Sequence, residues 1–290
     1  MGFSINTNVA ALQAYNSLNN TQSKLQSSLQ RLSSGYRINN ASDDAAGLSI
    51  SEGLQAQISG TSVASRNAQD GISLLQTTDG ALTQAQSILH RMRDLAVQGA
   101  NDTNDTDSRG AIQDEADELS KELFRMSANT KFNGISLLDP AANPSATLSF
   151  QVGAGANAGT DTSNTISFST VSLSTAVGSL MSADGTAAGT GFAVTDNATA
   201  NTTIATIDAA ISAVSTQQAT IGATENRFAD AVQTLAVTGQ NLSAANSRIQ
   251  DTDMASEMVN YSQQSILQQA GVSMLAQANA SNQGILKLLG

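Results

Sequence analysis

Apolar residues recur along this chain at helical spacing, and the longest run lies toward its C-terminal end. Ile207, Val214, Ile221, Phe228, Leu235, Leu242 and Ile249 fall every seven residues without a break. Ile204, Ile211 and Val232 lie on accompanying positions, and Gln218, Glu225, Gly239 and Asn246 interrupt that second line. A sustained seven-residue repeat predicts a coiled-coil helix. At about 1.5 Å per residue, a helix from Ile204 to Ile249 is roughly 69 Å long. A single apolar stripe does not offset the ordering of so many residues, so this helix needs partners along its seam.

Two more seams supply candidates. Leu75, Leu82, Leu89 and Ala96 repeat every seven residues, with Thr78, Ala85 and Met92 three residues after the first three. Ile112, Ala116, Leu119, Leu123 and Met126 follow a 4-3-4-3 spacing. Between them, residues 99–110 are rich in Gly, Asn and Asp, which predicts a turn. The two seams therefore predict an antiparallel helical hairpin against which the 207–249 helix packs.

The pattern changes over 140–203, where Gly, Ser, Thr, Ala and Asn dominate. Residues 147–152 and 165–173 alternate with period two across a Gly/Asn/Asp-rich stretch, which predicts a β-hairpin. The remainder, to about Ala200, reads as a low-complexity surface loop or small excursion. Both chain ends are amphipathic helices in pattern. Ile5, Val9, Leu12, Leu18, Leu25, Leu29 and Leu32 mark one; Leu267, Gly271, Met274, Ala278, Ser281, Ile285 and Leu288 mark the other. After Glu257 the only charged residue is Lys287. Such tails lack a core of their own. They are expected to pair with each other, to leave apolar surface for neighbouring copies, and to order only when those copies bury it. The fold class is mainly α: a long antiparallel helical coiled-coil bundle with a small β-hairpin region and paired N- and C-terminal helices.

Composition narrows the function. The 290 residues include only two prolines, Pro140 and Pro144, so long helices are unobstructed on either side. Aromatic content of 3% leaves packing to Ala, Leu, Ile and Val, which suits close helix pairing better than a ligand-gripping pocket. The net charge of −11 and the lack of any basic residue between Lys131 and Arg227 argue against nucleic acid. With no cysteine, disulfides, thiolate metal sites and cysteine nucleophiles are excluded. The N-terminus has neither a basic n-region nor an apolar h-region, and no window resembles a membrane span, so a chain soluble when made is expected. Met1-Gly2 opens like a myristoylation signal but has Asn6 where Ser or Thr is required.

No residue set points to catalysis or to a cofactor. His90 is the sole histidine, and no triad, histidine metal cluster or zinc-protease motif can be built around it. Asp43 and Asp44 precede Ala45-Ala-Gly-Leu48, the pattern of a capped helix N-terminus more than of an acid–base pair. Asp102, Asp105 and Asp107 lack the Gly and distal Glu of a calcium loop. Gly153-Ala-Gly155 is an incomplete phosphate-binding fingerprint with no helix close behind it. Asn-X-Ser/Thr triplets such as Asn101-Asp-Thr103 carry little information without a eukaryotic secretory route.

The residues also carry a resemblance. Leu29-Gln-Arg-Leu-Ser-Ser-Gly-Tyr-Arg-Ile-Asn39 and Asp43-Asp-Ala-Ala-Gly-Leu48 resemble the N-terminal signature of bacterial flagellin. Arg91-Met-Arg-Asp-Leu-Ala-Val-Gln98 and Phe132-Asn-Gly-Ile135 are similar to further motifs of that family. Ile266-Leu-Gln-Gln-Ala-Gly271 and Leu275-Ala-Gln-Ala-Asn279 resemble its C-terminal signature. The likeness covers about 1–140 and 204–290 in the family's order.

The resemblance implies a subunit of the extracellular flagellar filament, secreted unfolded by the flagellar type III apparatus. It also implies a self-polymer, an export chaperone, and hook-associated and cap proteins as partners, with neither nucleic acid nor membrane. By position, 1–45 and 250–290 would form the filament-core coiled coil, and 46–140 and 204–249 the rod-domain helices. Residues 141–203 would form the β-hairpin and a short variable region. The family's large mid-chain domains look absent or vestigial. Its toll-like-receptor motif matches at Arg91, Leu95 and Glu115, where subunit packing is the competing role. The rival reading within this resemblance is the hook–filament junction protein. From other classes, a signalling coiled coil lacks a membrane segment here, and a protease-bearing flagellin would need the missing zinc motif.

Overall fold

The computed structural model describes residues 8–139, 147–156, 162–181 and 191–289, with side chains as far as 281. Its elements in order are helices α1 (Val9–Ser34), α2 (Ala45–Gly99) and α3 (Thr106–Asn129), then strands β1 (Lys131–Phe132), β2 (Ile135–Ser136), β3 (Thr147–Gln151) and β4 (Thr165–Ser169). Helices α4 (Leu173–Val177), α5 (Asn197–Gln250) and α6 (Met254–Leu289) complete it. The fold is mainly α, as expected. Two compact units divide the chain, Met1–Ile58 with Gln240–Gly290, and Ser59–Gly239.

The 59–239 unit holds the apolar core. Along α2, Leu75, Thr78, Leu82, Ala85, Leu89, Met92 and Ala96 are all fully buried. The same 3-4 spacing extends back through Ala68, Ala64 and Thr61. On α5, Ile207, Val214, Ile221 and Phe228 are buried, whereas Leu235 in the same seam is only half-buried. The companions of that seam are Thr203, Ala210 and Thr224, not Ile204, Ile211 and Val232, which are half-buried. Small side chains occupy the buried line because they let two helix backbones approach closely, and the larger ones flank it. The same substitution of small for large occurs on α3. Ser120 and Ser127 are buried where Leu119 and Met126 are half-buried.

Polar pairs fix α2 against α5 in antiparallel register. Gln76 Nε2 donates to Glu225 Oε1 at 2.8 Å, Gln86 Nε2 to Ser215 Oγ at 2.8 Å, and Arg93 Nε to Asp208 Oδ1 at 2.6 Å. Gly71 makes room for the Phe228 ring, since a Cβ there would stand 2.9 Å from two ring carbons. On its other side Phe228 meets Phe150 of β3 edge-on, with centroids 5.3 Å apart.

The β elements are small. β1 and β2 form a tight hairpin through Asn133 (φ 49°) and Gly134 (φ 82°), the left-handed pair that an Asn-Gly turn supplies. β3 and β4 pair antiparallel from Thr147↔Ser169 to Gln151↔Thr165. The second strand ends earlier than the alternation predicted. Ser172 accepts from Thr175 N and opens α4, while Leu173 N donates to Leu138 O. Of the two expectations for the segment after β4, a surface loop or a small excursion, the surface loop does not hold where the segment is described. Leu180, Met181, Phe192 and Val194 join the core, and α5 already starts at Asn197, led by Asp196, whose Oδ1 accepts from Thr199 N. Pro140 and Pro144 lie outside the described residues.

Carboxylates cap the starts of α3 and α5 and brace the turn before α2. Asp105 accepts from Ser108, Asp196 from the Thr199 amide, and Asp43 from the amides of Asn39 and Asn40. Each carboxyl is held below the usual range, led by the Ser108 hydroxyl at Asp105, the Thr199 amide at Asp196 and the Asn39 amide at Asp43. A carboxyl depressed by folding stabilises above its unfolded pKa, and that contribution is lost as pH falls through the folded value. The thermal midpoint of the chain is therefore expected to drop between about pH 5 and pH 2. The double change Asp105→Asn and Asp196→Asn should make the drop shallower, and parallel pH curves for variant and parent would contradict these roles. Phe228→Ala, which empties the site shared with Gly71 and Phe150, is expected to cost about 3–5 kcal/mol in denaturant unfolding.

Candidate assembly surface

The unit made of Met1–Ile58 and Gln240–Gly290 is built differently. Among its described residues, Ile38 is the only fully buried apolar side chain; Ser28, Ser51 and Glu257 are the buried polar ones. Its main contact is the antiparallel pair α1·α6. Asn8 Nδ2 donates to Ala278 O at 3.1 Å, Leu18 Cδ1 lies 3.2 Å from where a Cβ on Gly271 would be, and Arg31 lies 4.0 Å from Glu257. These three pairs run in opposite directions along the two helices and fix one register.

The inward face of α6 consists of Glu257, Tyr261, Gln264, Gln268, Gly271, Leu275 and Ala278. That is an unbroken 4-3-4-3-4-3 seam, but it is offset from the expected one. Gly271 and Ala278 do face inward, whereas Leu267 and Met274 are exposed. Ile285 and Leu288 lie outside the described side chains. On α1 the half-buried positions include Ala11, Ala14, Leu18, Thr21, Leu25 and Leu32, while Val9, Leu12 and Leu29 point out. Ile5 lies outside the described residues.

The pair therefore half-buries a mixed line of small, polar and a few large apolar residues, and turns a second set of large apolar ones to solvent. On α6, Val259 is 68% exposed, Ile266 66% and Met274 65%, with Met258, Leu267 and Val272 beside them. Val259 and Ile266 are seven residues apart, as are Leu267 and Met274, so the outward face repeats like a second coiled-coil seam. Met258, Val259, Ser262, Gln263, Ile266 and Leu267 line an open groove of about 480 Å³ with no charged residue on it. Contiguous apolar surface of this kind marks an interaction site.

The segments that follow α1 and α5 are also clipped together beside this pair. Gly35, in the left-handed conformation at φ 78°, closes α1, and Tyr36 bridges Asp251. Arg37 N donates to Gln250 O at 2.6 Å and Arg37 Nη2 to Ile249 O at 2.9 Å, so this guanidinium covers the last carbonyls of α5. Asp44 Oδ1 accepts from Gly47 N at 2.8 Å. A Cβ on Gly47 would stand 2.5 Å from Asp44 Oδ2 and 2.7 Å from Ile38, so a side chain there would displace both. The aspartates at 43 and 44 are thus engaged in turn and helix capping.

The other candidate residues are placed as follows. Arg91 and Glu115 meet across α2 and α3, with Nη2 2.6 Å from Oε1, both exposed to solvent. Leu95 is 2% exposed and sits in the core one turn along from Arg91. His90 is exposed on α2. Asp102 pairs with Arg109 at 3.2 Å, Asp105 is a cap, and no group of three metal-ligating side chains occurs among the described residues. Residues 153–155 turn after β3, with Gln151 Nε2 donating to Gly153 O and Gly155 O. No described helix is long and apolar enough to cross a membrane.

Changing Val259 or Ile266 to Glu removes no packed partner. Each is expected to shift the unfolding midpoint of the monomer by no more than about 0.5 kcal/mol in denaturant titration. A large loss would mean that these side chains are buried within the monomer.

Comparison with known proteins gives this surface its context. The bacterial flagellin N-terminal helical region matches residues 5–143, and the bacterial flagellin C-terminal helical region matches 204–289. A flagellin of Halalkalibacterium halodurans is 41% identical over 98% of this chain and 99% of its own length. A flagellin of Bacillus subtilis is 43% identical, with the same coverage of each. The flagellar filament 30.7 kDa core protein of Treponema maltophilum is 38% identical over 98% and 99%. A crystal structure of Bacillus cereus flagellin is similar at 33% identity over 62% of this chain and 94% of that one, with a TM-score of 0.49.

Proposed function

The chain belongs to the bacterial flagellin family, and from this we propose how it polymerises as a structural subunit of the flagellar filament. The outward apolar faces of α1 and α6 are buried against neighbouring copies. The observation that carries this is the contrast between the units: one has a complete core, the other has Ile38 and an exposed apolar seam. The protein is a filament component and not an enzyme. The match from end to end to flagellins and filament core proteins supports the filament subunit over the hook–filament junction protein.

Secretion through the flagellar type III apparatus fits a chain without cysteine, whose terminal unit has so little core to unfold. An export chaperone would shield the α6 face before assembly, and the hook-associated and cap proteins would meet the same face at the filament ends. Trimming residues 1–30 or 260–290 is expected to leave the 59–239 core folded and to abolish seeded polymerisation, read by sedimentation and electron microscopy. Filaments from either truncation would overturn the proposal.

Recognition by a toll-like receptor is proposed for the surface around Arg91 and Glu115. Their solvent-exposed ion pair supports it, with Leu95 holding α2 from inside the core. In a receptor reporter assay, Arg91→Ala and Glu115→Ala should each lower potency by about tenfold or more. Leu95→Ala is read separately, because emptying a core site costs about 2–5 kcal/mol in folding. Unchanged potency of the Arg91/Glu115 double variant would exclude this surface.

A further inference from the structure

The methionines are divided between the two units in a way that packing alone does not require. Met92 and Met181 are buried in the 59–239 core and Met126 packs against it. Met254, Met258 and Met274 all lie on α6, each about half or more exposed. Met258 lines the uncharged groove with Val259, Ile266 and Leu267, and Met274 continues the outward stripe seven residues beyond Leu267. We infer that Met258 and Met274, with Met254, are oxidation sites that gate assembly: their conversion to sulfoxide in the free subunit blocks its addition to the filament. The inference rests on the assembly role of the α6 outer face.

The chemistry needs only a two-electron oxidant of the peroxide class. The thioether sulfur donates an electron pair to the distal peroxide oxygen, an S–O bond forms and the O–O bond breaks. The departing hydroxide takes the proton from the transferred oxygen and leaves as water. Sulfur is oxidised by two electrons and peroxide is reduced by two. The product places a strong acceptor dipole on a face with no charged side chain and few donors to receive it, so its burial against a neighbour is penalised. Once in the filament the same residues are covered and protected, so sensitivity belongs to the unassembled chain.

The test uses the full-length subunit treated with hydrogen peroxide, quenched, and added to untreated filament seeds. Peptide mass spectrometry should find sulfoxide at Met254, Met258 and Met274 ahead of Met92, Met126 and Met181. Elongation should fall by on the order of tenfold per oxidised α6 methionine and return after methionine sulfoxide reductase. The Met254→Leu, Met258→Leu, Met274→Leu variant, which conserves volume, should lose the peroxide response, its elongation rate being the same before and after treatment. The inference is overturned if oxidised subunits elongate at the untreated rate, or if peroxide stops the leucine variant equally. Should the leucine variant not elongate even untreated, reversal of the parent by the reductase decides. An Ile266→Glu subunit separates the two readings. If it elongates normally the assembly face is wrong; if it stops while peroxide has no effect, only the oxidation gate is wrong.

Discussion

A pair of helices can hide only the stripe along which they touch. In α1·α6 that stripe is used for small and polar residues: Gly271 against Leu18, Ala278 against Asn8, Glu257 against Arg31. Leu18, Leu25, Leu32, Tyr261 and Leu275 are half-buried beside them, and Val9, Leu12, Leu29, Met258, Val259, Ile266, Leu267, Val272 and Met274 are left outside. Each such side chain is worth about 1.5–3 kcal/mol when fully buried, and much of that is not realised within one chain. The terminal unit therefore has little core of its own, and under the proposed assembly other copies would supply the burial that it lacks.

The 59–239 unit is the complement of this arrangement. Its three long helical segments bury a continuous 3-4 line from Thr61 to Ala96 on α2 against α5 and α3, closed by Phe228, Phe150 and the small hairpins. The polar rungs Gln76–Glu225, Gln86–Ser215 and Arg93–Asp208 hold one register, and they are spaced so that any slip breaks all three. This unit has no need of neighbours for its own folding. Division of labour between a self-sufficient unit and a deficient one lets the subunit remain discrete until it meets a filament end.

Much of this was legible in the sequence, and the failures have a common cause. The seven-residue lines at 75–96 and 207–228 emerged as buried, and residues 147–151 and 165–169 paired as strands. Side-chain size is a poor guide to which helix positions face inward here. Thr203, Ala210, Thr224, Ser120 and Ser127 are buried in preference to nearby Ile, Val, Leu and Met, because close helix approach favours small side chains. On α6 size alone would place Leu267 and Met274 inside, whereas the inner line is Gln264, Gln268 and Leu275. Phe192 and Val194 sat in a stretch too poor in apolar residues for any periodicity to reveal their burial. The outward face of α6 was visible only as an excess: two apolar lines on a helix that has one intramolecular partner.

The most direct test of the account is side-chain footprinting by a diffusing carbene label on free subunits and on filaments of the same protein. The account predicts that Val259, Ile266, Leu267 and Val272 of α6 and Val9 and Leu12 of α1 are labelled in the subunit and protected in the filament. Leu82 and Leu89 should be unlabelled in both. Equal labelling of the α6 face before and after polymerisation would contradict it, and would move the filament contacts to another surface.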